Sequence, residues 1–342
     1  MPSTPIPVCQ NGVISAKNKL LTRIAVLLLL LIAIPGFRAV RASEIPDPGK
    51  TYLIFSAQTG KALQVADAGV ENLANIEVSV PHGGISQSWR FKPAGRGYPD
   101  NTFSLVSVKS GRVLDVMGYS REDGANVQLF KYYGTKNQRW RIIPAGNDSF
   151  RIVSINSGKC LDAENTGKRE TANVRQFSCG AGGHQLWKLK PNPQAGRIFR
   201  IVCKKSGKAL DIAGSSSLDG ANIELFRSHG RANQLWTLWH HGFRNGVPTY
   251  AIVSYHSGRV LDVDGKSRND GANVQQFRYR ANDNQHWILE PAEGEFVRII
   301  SVNSGKCLDA AGGITDDGAN IRQFTCNGEE HQLWELQEVS LP

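Results

Sequence analysis

Glutamine, any residue, tryptophan: this triplet recurs six times along the chain, as Gln87-Ser88-Trp89, Gln138-Arg139-Trp140, Gln185-Leu186-Trp187, Gln234-Leu235-Trp236, Gln285-His286-Trp287 and Gln332-Leu333-Trp334. Six of the seven tryptophans therefore share one repeated address. The intervals between copies are 51, 47, 49, 51 and 47 residues. A period of this length announces a repeat architecture. The pair 51 and 47, reset by a joint of 49, divides six similar units into two domains of three.

Repeat two shows the unit most cleanly. Phe103-Ser104-Leu105-Val106-Ser107-Val108, Val113-Leu114-Asp115-Val116, Val127-Gln128-Leu129-Phe130 and Trp140-Arg141-Ile142-Ile143 are short apolar runs. Gly, Ser, Asn and Asp separate them, which is the pattern of strands joined by tight turns. Four strands per unit give twelve per domain, and no stretch sustains a helical period. An all-β fold follows, as a barrel or sandwich with closed or short edges. The Asp-Gly-Ala-Asn segments read as turns, since no calcium-loop spacing follows them. From the aspartate of each Leu-Asp pair (Asp115, Asp162, Asp211, Asp262, Asp309) the Gln of the triplet lies 23 residues on; in repeat one Gln64 stands in the aspartate's place. A block that admits no insertion is one whose ends meet in fixed geometry.

The chain has 342 residues, enough for two ordinary domains, and its 40% hydrophobic and 20% charged residues indicate a globular protein. Residues 1–42 read separately. Lys17, Lys19 and Arg23 precede an apolar run from Ile24 to Ile34, Pro35-Gly36 breaks it, and Val40-Arg41-Ala42 offers a small-residue cleavage site. That is the layout of a secretory signal peptide; an uncleaved anchor is the alternative, although the run is short for a bilayer span. The expected domains are 48–190 and 197–338, with Pro191-Asn192-Pro193-Gln194-Ala195-Gly196 as a short joint that lets them touch. Residues 1–42 hold five basic and no acidic side chains, so the formal charge falls from +10 to +5 without them. Such a charge over two domains is weak grounds for a nucleic-acid partner.

Of six cysteines, Cys9 lies in the leader. Cys160 and Cys179, and Cys307 and Cys326, are each 19 residues apart at matching places in repeats three and six. Two loop-closing disulfides are expected in an oxidising compartment, each contributing about 3 kcal/mol. Cys203 remains, as a small buried thiol where other repeats carry serine.

The six Gln-x-Trp triplets, the Leu-Asp pairs, the Asn-x-Gln-x-aromatic segments and the cysteine interval together resemble the ricin B-type lectin family, also described as family 13 carbohydrate-binding modules. The resemblance spans about residues 50–338. It implies two tandem β-trefoils, three four-stranded units each, with the tryptophans in the core. It also implies a shallow sugar pocket on each competent unit. There an aspartate and an asparagine grip adjacent hydroxyls, and an aromatic ring covers the sugar's apolar face. Repeat two supplies Asp115, Gln128, Phe130, Asn137 and Gln138; repeat five supplies Asp262, Gln275, Phe277, Asn284 and Gln285. Repeat four supplies Asp211, Glu224, Phe226, Asn233 and Gln234, with glutamate in place of glutamine. Repeats three and six depart together: Asp162, Arg175, Phe177 and His184 match Asp309, Arg322, Phe324 and His331. Arginine and histidine there could form a cationic pocket for acidic sugars. Repeat one keeps only Gln64, Glu77, Ser79 and Ser86, and reads as scaffold.

The implied ligands are glycans, of galactose type or plant polysaccharides such as xylan, with no cofactor or metal. No nucleophile elbow, HExxH or P-loop occurs, and aspartates at symmetric positions argue against a single catalytic constellation. The alternatives are a protein-binding trefoil, such as an inhibitor or adhesin, and the binding subunit of a toxin or hydrolase complex.

Overall fold

The computed structural model describes residues 45–164 and 170–340. The expected signal segment, 1–42, lies outside the described residues. The described residues form two twelve-stranded antiparallel sheets with short 3-10 turns and no α-helix. Repeat two contributes Thr102–Ser107, Val113–Val116, Val127–Phe130 and Trp140–Pro144, and the other units follow the same plan.

The first and fourth strands of three units close a six-stranded barrel. Thr51–Ser56 pairs with both Trp187–Pro191 and Trp89–Pro93, and the ring continues through Thr102–Ser107, Trp140–Pro144 and Phe150–Ser154. The middle two strands of each unit form hairpins that cap one end, as in Val113–Val116 with Val127–Phe130. This is a β-trefoil, and the second sheet repeats it from Ile198–Cys203 onward. Closing the barrel removes the open edges that a twelve-stranded sheet would otherwise expose.

Each triplet tryptophan opens a fourth strand and is fully buried. Its indole N–H donates to the carbonyl of the leucine in Leu-Asp: Trp140 to Leu114 at 3.1 Å, Trp187 to Leu161 at 3.0 Å, Trp287 to Leu261 at 3.1 Å and Trp334 to Leu308 at 3.1 Å. The ring thus fills the core while its one polar atom ties barrel to cap. The adjacent Gln reaches the neighbouring aspartate, as Gln138 does to Asp115 at 3.0 Å. Two consecutive residues are held by two side chains two positions apart, which is why the 23-residue interval is invariant.

On each pseudo-threefold axis three asparagines form a closed ring. Asn126 donates to Asn75, Asn75 to Asn173 and Asn173 to Asn126, each at 3.0 Å. Asn222, Asn320 and Asn273 repeat the ring. Asn126→Ala opens it and leaves one donor and one acceptor unmatched. We expect a loss of about 1 kcal/mol, read as a lower urea midpoint with an unchanged slope.

Both expected disulfides are present, Cys160–Cys179 and Cys307–Cys326, and Cys203 is free and fully buried. The two trefoils pack against each other. The hairpin Trp236–Arg244 and Val247–Ser254 is the longest of the chain, turning at Asn245-Gly246 with φ of 51° and 79°, the left-handed pair that a type I′ turn demands. It carries Trp239, the seventh tryptophan, whose ring lies so close to Gly83 that an added Cβ would meet it at 1.8 Å. Lys109 Nζ reaches the carbonyls of Ala68 in the first trefoil and His256 in the second, each at 2.8 Å.

Candidate functional site

The cap hairpins place the expected site residues. Asp115 and Gln128 are direct cross-strand partners, as are Asp262 with Gln275 and Asp211 with Glu224; the constant 13-residue offset is hairpin register. In repeat two, Asp115 accepts from Gln128 at 3.2 Å on one oxygen, and from Asn137 at 2.8 Å and Gln138 at 3.0 Å on the other. Only 5% of Asp115 is exposed. Burial pushes its carboxyl above the ordinary value, and the amide donors oppose that. The half-buried Phe130 ends the same hairpin, beside a loop drawn in by Gln138, which donates to the Lys131 carbonyl and accepts from the Tyr133 N–H.

Repeat five matches. Asp262 accepts from Gln275 at 3.1 Å and Asn284 at 2.8 Å, and burial raises its carboxyl as well. Gln275 also donates to Asp264 at 3.1 Å. Asn284 Oδ1 is buried and has no hydrogen-bond partner. Such an acceptor is costly unless a donor meets it. In repeat four, Asn233 Oδ1 is orphaned in the same way, while Asn233 Nδ2 lies 3.0 Å from both oxygens of Asp211. His229 Nε2 lies 3.2 Å from Asp211, and the nearby Glu224 carboxyl is raised by burial and then by the Asp211 charge.

The triplet glutamines lie deepest among the expected site residues. Gln138, Gln234 and Gln285 are at most 1% exposed. Their amides are consumed by the aspartate or by the loop carbonyl and N–H, as in Gln234 with Arg227 and His229 and Gln285 with Arg278 and Arg280. They lie at the floor of the pocket and hold the aspartate and the adjoining loop. Three residues of the pocket rim were missed: Tyr133, 62% exposed with its ring 6.2 Å from that of Phe130; His229; and Asp264. Tyr133 and His229 both stand five residues before the triplet Gln, the spacing that could have found them.

A family model described as ricin-type beta-trefoil lectin domain-like matches residues 41–130, 136–226, 183–277, 232–324 and 283–340. The chain belongs to this family. No curated protein matches it. Among solved structures it is similar to the designed 3-fold symmetric protein ThreeFoil, at 39% identity over 42% of this chain and 99% of that one, with TM-score 0.40. The hemolytic lectin CEL-III is 21% identical over 85% of this chain and 65% of that one, with TM-score 0.52. The Macrolepiota procera ricin B-like lectin, solved with lactose, is 23% identical over 42% of this chain and 96% of that one, with TM-score 0.36.

In this ricin-type chain, repeats three and six close their own pockets. Asp309 is met by Arg322 Nε at 2.7 Å, by His331 Nε2 at 3.1 Å and by Gln332 Nε2 at 2.9 Å. Arg175, His184 and Gln185 surround Asp162 in the same manner, and Arg175 also pairs with Glu164 at 2.9 Å. Each arginine turns its Nε, and each histidine its Nε2, onto the aspartate. Asp309→Ala strands Arg322 and His331 around a buried gap; we expect a loss of about 3 kcal/mol, seen as a fall in the thermal midpoint.

Proposed function

We propose that this chain is a secreted, non-catalytic carbohydrate-binding protein whose open pockets lie in repeats two and five, with repeat four as a third. Residues 1–42 act as its signal peptide, and 48–190 and 197–338 are its two lectin domains. The observation that carries this reading is the constellation shared by repeats two and five: a carboxylate held by amide donors beside a half-buried phenylalanine. A carboxylate so oriented accepts from vicinal hydroxyls, and the ring covers an apolar sugar face without demanding a hydrogen bond.

Galactose-type sugars or β-linked polysaccharides such as xylan are the ligands this site chemistry suits. A shallow single site binds at about millimolar, roughly −4 kcal/mol, and several sites on one body gain avidity on a polyvalent surface. A pull-down on immobilised galactan and xylan, competed with free sugar, tests the reading. Retention that free sugar relieves supports it. Retention indifferent to free sugar would instead favour protein recognition.

A further inference from the structure

Repeat one lacks the sugar-gripping set, yet its surface is not idle: the second trefoil sits on it. Between them lies a cavity of about 260 Å³. One wall is the repeat-one set itself, Gln64, Glu77, Ser79 and Ser86; the other includes Arg278 and Tyr279 from repeat five. Gln64 holds the aspartate's position, accepting from Gln87 at 3.0 Å and donating to Glu77 at 2.6 Å. The frame of an open site is therefore intact. Serine replaces the aromatic platform, and Tyr279 supplies an aromatic side chain from across the seam.

The charges on this cavity decide what it accepts. Arg278 is paired with Asp219 and lies 4.0 Å from Glu170; Arg259 is paired with Asp219 at 2.6 Å and lies 3.4 Å from Asp67. The cations are thus spent on carboxylates, which leaves no net attraction for an anion. What remains is hydrogen-bonding capacity: the Ser79 and Ser86 hydroxyls, the Gln64 amide and the Glu77 carboxyl, which accepts from Gln64. The volume lies just below the range of about 300–1,000 Å³ usual for drug-sized ligands, so it suits one ring.

We infer that the two trefoils jointly form a further binding site, distinct from the open pockets, for a single neutral polyhydroxyl ring such as a free monosaccharide or cyclic polyol. Neither trefoil alone has both walls. The inference does not depend on the open pockets binding sugar.

The test uses the full chain carrying Asp115→Ala, Asp211→Ala and Asp262→Ala, titrated with galactose, xylose, glucose and inositol by saturation-transfer NMR and calorimetry. Residual binding of one ring per chain is expected. Two further changes in that background should each weaken it at least tenfold. Ser79→Phe fills the cavity with a ring that five equivalent positions already carry, so the backbone tolerates it. Gly83→Val drives a side chain into Trp239 and separates the walls. Circular dichroism confirms that each variant is folded. Absence of residual binding in the triple variant overturns the inference, as does residual binding that survives both changes. The open-pocket reading fails on other grounds, if polysaccharide retention by the unmodified chain is absent or is unaffected by the triple substitution.

Discussion

Asp115→Ala combined with Asp262→Ala is expected to lower retention on a polyvalent glycan by at least about 100-fold, while each single change costs far less. The reason is avidity. Linked weak sites gain about 10² to 10⁴ over one site, and this gain collapses when two of three pockets are lost. Each aspartate is the hub of its pocket: Gln128, Asn137 and Gln138 all point at Asp115, and Gln275 and Asn284 at Asp262. Alanine removes the acceptor for the sugar and also releases the donors that shape the pocket. Surface plasmon resonance on a dense and a sparse glycan surface separates the two effects. Density-dependent loss supports avidity, whereas equal loss on both surfaces, with an unchanged thermal midpoint, would leave single-site affinity as the whole effect. Unchanged retention would remove these aspartates from the binding site.

Acid is expected to destabilise the seam between the trefoils. His82 is buried there and is pushed down to about 4 by burial. His286 is also lowered to about 4, by burial and then by His241, whose ring stacks on it at 3.7 Å. Asp283, 3.8 Å from His286, opposes that shift. Tyr279 bonds both rings, His286 at 2.8 Å and His241 at 2.9 Å, and packs edge-on against His82. Lys109, also in the seam, is lowered to about 8 by burial and carries its charge throughout the acid range.

For each histidine the native state favours the neutral ring. Its contribution is complete above about pH 6.5 and is lost as the pH falls through about 4, because the released histidine takes up its proton first. The gap between the ordinary histidine value and about 4 corresponds to roughly 3 kcal/mol for each of these buried rings. The thermal midpoint should therefore drop steeply between pH 6.5 and 4. His82→Phe and His286→Gln should be less stable at pH 7.5 and flatter on acidification. Variants as steep as the parent would sink this account.

Much of this was legible in the chain itself. The triplets, their intervals and the 23-residue block marked out two all-β domains of three units, because every unit spends the same two side chains on the same two sequence neighbours; the trefoil itself was implied by the family resemblance those residues carry. Trp140 and Gln138 act on Leu114 and Asp115, and local spacing encodes that contact. The cysteine pairs were equally visible, since a 19-residue interval repeated at matching positions is a local feature. The residue types at the 13-residue offset separated the pockets of repeats two and five from repeat one.

Tertiary structure decided the rest. Arg322 and His331 lie on different strands or turns of one unit, and only the folded chain shows that they converge on Asp309. The triplet glutamines share the spacing of ligand-binding residues, yet their burial makes them supports. Trp239 and Gly83 lie far apart in the chain, and their contact depends on how two separately closed barrels meet. Periodicity within a unit records which residues share a hairpin, because register is set by neighbours along the strand. It carries no term for what another domain places against that hairpin, so repeat one read as scaffold until the second trefoil was seen to cover it.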